Sequence, residues 1–198
     1  MPKTKIIKRE SGKTYVYLIR HAHWALPKSL SQPHEFNPNI PLSKLGKIQA
    51  RALSKRILPL KDKVDVFICS SLGRARETAE AISGTIGKNP AQCDRLWEFS
   101  KILWTREYHK LKYWRNFLKY RRVIKRFNEI LLQNKGKVIL IVAHGNVIKG
   151  ILKNKHNLSL GKIRKIDYKN CNITLLRFDN LNLEKAYCIN KKNVVGMD

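Results

Sequence analysis

The chain is short of acids: 14 Asp and Glu face 41 Lys and Arg in 198 residues, for a formal net charge of +27. So large an excess draws in anions of any size, whether a small phosphate ester, nucleic acid or an acidic membrane surface. Charge alone does not choose among them, and a lysine-rich, solvated surface gives the same number. Cysteine is scarce too. Cys69, Cys93, Cys171 and Cys188 are scattered and form no close metal-ligand pair, so free thiols in a reducing compartment are expected rather than disulfides. No run of about 18 apolar residues is available to span a bilayer. The opening Met1-Pro2-Lys3-Thr4-Lys5 leads into Ile6-Ile7-Lys8-Arg9-Glu10 without the apolar stretch of a signal peptide. A cytoplasmic protein without a membrane segment is therefore expected. Internal repeats and low-complexity tracts are absent as well.

What is present suffices for a core, since 43% of the residues are apolar, and the length suits one domain better than two. Residues 1–13 read as a loosely held basic lead-in, 14–190 as the domain and 191–198 as a tail. Thr14-Tyr15-Val16-Tyr17-Leu18-Ile19 and Val138-Ile139-Leu140-Ile141-Val142 are short, β-branched or aromatic runs suited to a parallel sheet covered on both faces. Val64-Asp65-Val66-Phe67-Ile68-Cys69 adds another strand, and residues 171–178 and 183–189 a final pair around Asp179-Asn180-Leu181-Asn182.

Between the strands the period turns helical. Ser43 caps a helix to about Leu58 with Leu45, Ile48 and Ala52 along one face, and Pro59 ends it. Ser70-Ser71 offers a cap for a second helix striped by Leu72, Ala75, Ala79, Ile82 and Ile86. A third, from about Tyr108 to Asn134, carries Tyr113, Phe117, Tyr120, Ile124, Phe127 and Leu131, read as core contact. A short helix starts near Val147. Residues 22–41 hold four prolines and read as a long loop, and residues 93–107 fit no pattern. The order of elements predicts a three-layer α/β/α sandwich with a mostly parallel central sheet and a C-terminal strand pair.

Two histidines sit where such sheets collect ligands, at strand ends: Arg20-His21-Ala22 and Ala143-His144-Gly145-Asn146. A guanidinium beside an imidazole suits phosphoryl capture, because the planar fork matches phosphate oxygens and neutral imidazole is a nucleophile near pH 7. Arg74 falls in the first turn of the second helix, where anions are favoured, whereas Arg76 turns to the surface.

In four segments taken in order the chain resembles the histidine phosphatase superfamily, the phosphoglycerate mutase-like family. They are Leu18-Ile19-Arg20-His21-Ala22, Pro41-Leu42-Ser43-Lys44-Leu45-Gly46-Lys47-Ile48-Gln49-Ala50, Ser70-Ser71-Leu72-Gly73-Arg74-Ala75-Arg76-Glu77-Thr78-Ala79 and Val142-Ala143-His144-Gly145. The resemblance implies that His21 is the phosphoacceptor and that Arg20, Arg74 and His144 bind the phosphoryl oxygens. It also implies a proton donor where Leu96-Trp97-Glu98 looks like the family's Leu-x-Glu, with Glu107 in reserve. Three departures stand out. Ala22 replaces the family's glycine, the stretch after Glu98 lacks the usual glycines, and Pro27 stands where the family has an asparagine.

The implied activity is a metal-independent, cofactor-free phosphatase that hydrolyses a phosphate monoester through phosphohistidine, with His21, Glu98 and a protonated His144 catalytic. Its substrate would be a small phosphorylated molecule or a phosphoprotein. Phosphoglycerate mutase-type transfer is a second reading, disfavoured because those mutases are generally longer. A basic, catalytically weak relative that binds nucleic acid or an acidic partner is a third. Any nucleic-acid face would lie between Lys101 and Arg126, where ten Lys and Arg meet the single acid Glu107 among Trp104, Tyr113, Trp114 and Tyr120. Weak, unselective, salt-sensitive binding is expected there. His23, Trp24, Phe36, Trp104, His109 and Trp114 either line a pocket or simply pack.

Overall fold

The computed structural model describes residues 9–25, 39–100, 110–166 and 168–188. In strand β1 (Lys13–Arg20) successive side chains point to opposite faces, and both sets are buried. Val16 and Leu18 enter one hydrophobic cluster, and Tyr15, Tyr17 and Ile19 enter another. Strand β4 (Val138–Ala143) divides in the same way, Ile139 and Ile141 to the first cluster and Leu140 and Val142 to the second. Strands buried on both faces lie at the centre of a covered sheet, as the apolar runs predict.

That sheet has six strands in the order β3-β2-β4-β1-β5-β6, with β2 Val66–Ser70, β3 Ala91–Cys93, β5 Ile173–Asp179 and β6 Asn182–Cys188. β3, β2, β4 and β1 are mutually parallel, and β5 runs antiparallel to both β1 and β6. Helices α1 (Lys44–Ile57) and α2 (Gly73–Ile86) cover one face. Helices α3 (Lys110–Gln133), α4 (Gly145–His156) and α5 (Leu160–Lys165) cover the other. The three-layer α/β/α sandwich with a C-terminal strand pair is the observed architecture. Among the described residues, no helix is long and apolar enough to cross a membrane, and Cys69, Cys93 and Cys171 are buried and form no disulfide.

Two local expectations need correction. Leu45 and Ile48 are 52% and 62% exposed, while α1 buries Gly46, Ala50, Leu53 and Ile57. The helix approaches its neighbours through small residues: a Cβ on Gly46 would lie 1.8 Å from the His23 carbonyl oxygen. The cap of α2 is Leu72, with no side-chain capping bond, because Ser70 and Ser71 are bonded elsewhere. In the described part of residues 93–107, which no sequence pattern assigns, β3 ends at Cys93 and a 3-10 turn spans Asp94–Leu96.

Candidate active site

Parallel pairing of β1 with β4 sets Arg20 opposite Ala143, so the two strands end level and their next residues, His21 and His144, emerge side by side. The imidazole centroids are 5.0 Å apart with the planes inclined at 59°. β2 ends beside β4, with Cys69 opposite Val142, which brings Ser70 and the start of α2 to the same edge. Arg20, His21, Arg74, Glu98 and His144 are thereby gathered at the carboxyl end of the parallel strands.

His21 is buried, and its Nδ1 lies 2.7 Å from the Ala22 carbonyl oxygen. A carbonyl only accepts, so Nδ1 carries the proton and Nε2 keeps its lone pair. The turn beyond is tied down: the Ala22 N–H donates to Thr78 Oγ1 at 3.0 Å, and the Thr78 hydroxyl donates to the Arg74 carbonyl at 2.6 Å. Asn170 Nδ2 donates to the His21 carbonyl at 2.9 Å. Ala22 adopts no left-handed backbone, so its Cβ is tolerated where the family has glycine.

Burial, then the Arg74 guanidinium, then Arg20 hold the His21 imidazole well below its usual value, against the Ala22 hydrogen bond that raises it. His144 is held well below its usual value by burial, Arg74, His21 and Arg20. Both rings are therefore neutral at pH 7. A His144 protonated from the outset does not fit this environment, because two guanidiniums already disfavour further positive charge.

His144 Nε2 lies 2.9 Å from Ser70 Oγ. Its Nδ1 has no hydrogen-bond partner among the described residues and stands 3.8 Å from Glu98 Oε2. Glu98 Oε1 accepts the Asn146 N–H at 3.2 Å, so the carboxylate occupies the exposed amide end of α4. Asn146 Nδ2 also donates to the Phe99 carbonyl at 2.9 Å, which clamps the Glu98 segment a second time. Arg20 Nη1 donates to the Tyr168 carbonyl, and the Arg74 guanidinium lies 5.5 Å from the centre of the Trp24 ring. Arg76 faces outward, ion-paired to Glu80 at 3.6 Å.

Ligand atoms of His21, Glu98 and His144 all lie within 4.8 Å of one another, a spacing that a metal ion could use. The charge argues for an anion instead: the guanidiniums that depress both imidazoles repel a cation equally. Glu107, Pro27, Phe36, Trp104 and His109 lie outside the described residues. Ser70, Thr78 and Asn146 were legible as members of motif segments, but nothing in the pattern disclosed what they bond. Asn170, between α5 and β5, has no sequence signal at all.

The family model for the histidine phosphatase superfamily, branch 1, matches residues 16–116 and 118–187. The chain belongs to the histidine phosphatase superfamily. As a member it is classed with the phosphatases, which are hydrolases. It is 28% identical over 187 residues to a putative phosphoserine phosphatase 2 of Hydrogenobacter thermophilus, covering 83% of this chain and 89% of that protein. It is 29% identical over 147 residues to the mitochondrial serine/threonine-protein phosphatase Pgam5 of Drosophila mojavensis, covering 68% of this chain and 48% of that protein. Among solved structures, a mycobacterial glucosyl-3-phosphoglycerate phosphatase superposes with TM-score 0.66 at 17% identity, over 89% of this chain and 97% of that one. The likeness to that structure is one of fold.

Proposed function

We propose that this histidine phosphatase hydrolyses a phosphate monoester in two steps through a phosphohistidine on Nε2 of His21. The observation that carries the reading is the 2.7 Å contact of His21 Nδ1 with the Ala22 carbonyl, which leaves Nε2 unprotonated on a buried ring beside His144 and within the field of Arg74 and Arg20. Nε2 attacks phosphorus, the bond to the ester oxygen breaks, and protonated Glu98 gives that oxygen its proton as the alcohol leaves. Negative charge gathers on the three equatorial oxygens, where the two guanidiniums stabilise it together with the Nδ1–H that His144 carries when the Ser70 hydroxyl donates to its Nε2. Water then attacks the phosphohistidine, Glu98 takes its proton, and phosphate departs with Nε2 restored. No step calls for a metal or cofactor.

A small phosphorylated molecule or a phosphoprotein is the substrate class, consistent with the phosphoserine and protein phosphatase names of the two relatives. The decisive experiment assays a panel of phosphate esters with wild type and His21→Ala in parallel and quenches under acid-sparing conditions for mass spectrometry. Phosphate trapped on His21, and a variant rate lower by several orders of magnitude, are expected. An active His21→Ala protein, or a stable adduct elsewhere, overturns the mechanism.

A further inference from the structure

The longest helix shows two different faces. Inward, α3 packs Val123, Phe127, Ile130 and Leu131 into the core, with Tyr113, Phe117, Tyr120 and Ile124 against it. Outward it exposes Trp114 and Leu118, one turn apart at 59% and 57%, and farther along Leu132 at 50%. Arg115, Arg121, Arg122 and Lys125 share this outer surface and make no ion pair among the described residues. At 100° per residue, Trp114, Leu118, Arg121, Lys125 and Leu132 fall within about 60° of one another, a single stripe about 27 Å long.

A groove of about 520 Å³ runs beside the stripe, with Arg121 and Lys125 at its sides, Ile124 and Leu132 among its apolar lining, and Asn154 contributed by α4. Glu129 also lines it, but that carboxylate is taken up by Arg95 at 3.0 Å and Arg126 at 3.2 Å and does not offset the free cations.

We infer that the outer face of α3 docks the protein on an anionic lipid surface, with Trp114 and Leu118 entering the headgroup boundary while Arg115, Arg121, Arg122 and Lys125 meet lipid phosphates. Charge complementarity names an anion. The apolar residues choose the kind. A nucleic-acid face would present aromatic rings for bases to stack on, yet Tyr113 and Tyr120 turn inward onto Phe117 and Phe99. Trp114 is thus flanked by an exposed leucine, and leucine gains by leaving water for the lipid boundary but has no base to read. Cations on one helix face beside a tryptophan are the pattern of an interfacial surface. The placement also bears on the site. Asn116, two residues from Trp114, accepts the Ser100 N–H at 2.8 Å, so this end of α3 is anchored to the segment that follows Glu98.

The test is co-sedimentation of the full chain with phosphatidylcholine vesicles with and without phosphatidylserine. Three variants run beside the wild type: Trp114→Ser with Leu118→Ser, a triple Glu replacement of Arg115, Arg121 and Arg122, and Trp114→Phe. Thermal melts check that each remains folded. Binding confined to phosphatidylserine vesicles is expected, weaker in high salt, lower by about a hundred-fold in the triple variant and by roughly ten-fold in the Trp114-Leu118 variant. A blue-shifted fluorescence component on binding should disappear in Trp114→Phe. Three results would each overturn the inference: no binding to anionic vesicles, binding that survives loss of Trp114 and Leu118, or tighter binding to duplex or single-stranded nucleic acid that the same Arg changes abolish.

Discussion

Replacing Glu98 by glutamine removes a proton and almost nothing else. The new side chain still offers an oxygen to the Asn146 N–H, now 3.2 Å from Oε1, and Asn146 still clamps the segment through Phe99. Glu98 is 9% exposed, so an isosteric amide keeps the packing, and stability should change by less than about 1 kcal/mol. In the proposed mechanism the function lost is proton delivery to the leaving oxygen, worth roughly 10²- to 10⁴-fold, or about 3–5 kcal/mol of barrier. That cost falls only where the leaving group needs a proton. Esters of aliphatic alcohols should lose this full amount in kcat/KM with Glu98→Gln, whereas p-nitrophenyl phosphate, whose phenolate departs unaided, should lose about ten-fold or less. Assays of both ester types at matched pH, with Glu107→Gln as the parallel control, read the difference directly. Equal losses on the two substrates would refute acid catalysis by Glu98 and leave it a structural anchor of α4. A leaving-group-dependent loss in Glu107→Gln would move the acid to that residue.

Further outcomes follow from the same geometry. Ser70→Ala deletes the hydroxyl 2.9 Å from His144 Nε2 and should lower kcat about ten-fold with the melting temperature shifted by only a few degrees; unchanged turnover would remove Ser70 from the positioning of His144. Both imidazoles are held below their usual value of 6.5, so below that pH the unfolded chain takes up protons that the folded one refuses, and stability falls on acidification. Melting curves against pH should show this loss begin near 6.5 and flatten in His21→Asn, and an acid limb identical in wild type and variant would contradict the assignment. Gly46→Ala drives a Cβ to 1.8 Å from the His23 carbonyl and should cost roughly 2–4 kcal/mol, a drop of about 5–15 °C in the melting temperature; an unshifted melt would mean that the loop yields freely.

The central strands were readable because burial on both faces demands continuous apolar runs, and β1 and β4 satisfy that demand at every position from Tyr15 to Ile19 and from Val138 to Val142. The motif residues were readable because their chemistry is peculiar to their types. What escaped has physical reasons. β3 is three residues long with Ala91 and Gln92 exposed, so no period can mark it. On α1 the large residues Leu45 and Ile48 imitate a core face, but close approach to the His23 carbonyl requires the face that bears Gly46. Periodicity weights size and misses this. Serines before a helix resemble a cap; Ser70 instead bonds His144, which is 74 residues away and adjacent only once β2 and β4 have paired. On α3 the interleaved aromatics resemble a stacking platform, yet the helical turn that packs the half-buried Tyr113 and Tyr120 against the core leaves Trp114 as the exposed ring.

The proposed chemistry depends on sheet register more than on any loop. Arg20 and His21 come from the end of β1, Ser70 and Arg74 from the end of β2 and the start of α2, and His144 from the end of β4. These three ends coincide only because Arg20 pairs with Ala143 and Cys69 with Val142. A slip of one residue between β1 and β4 would shift the two imidazoles by about 3.3 Å and send the side chains of β4 to opposite faces. The buried alternation of Ile139 and Ile141 against Leu140 and Val142 does not discriminate strongly between faces, since both are apolar. Other contacts pin the register. Asp65 Oδ2 accepts the Val138 N–H at 2.8 Å, and Gly136 N–H donates to Thr14 Oγ1 at 2.9 Å, both at the end of the strands remote from the site. Polar bonds there set where β4 begins, and with six residues of strand between, they also set where His144 emerges beside His21.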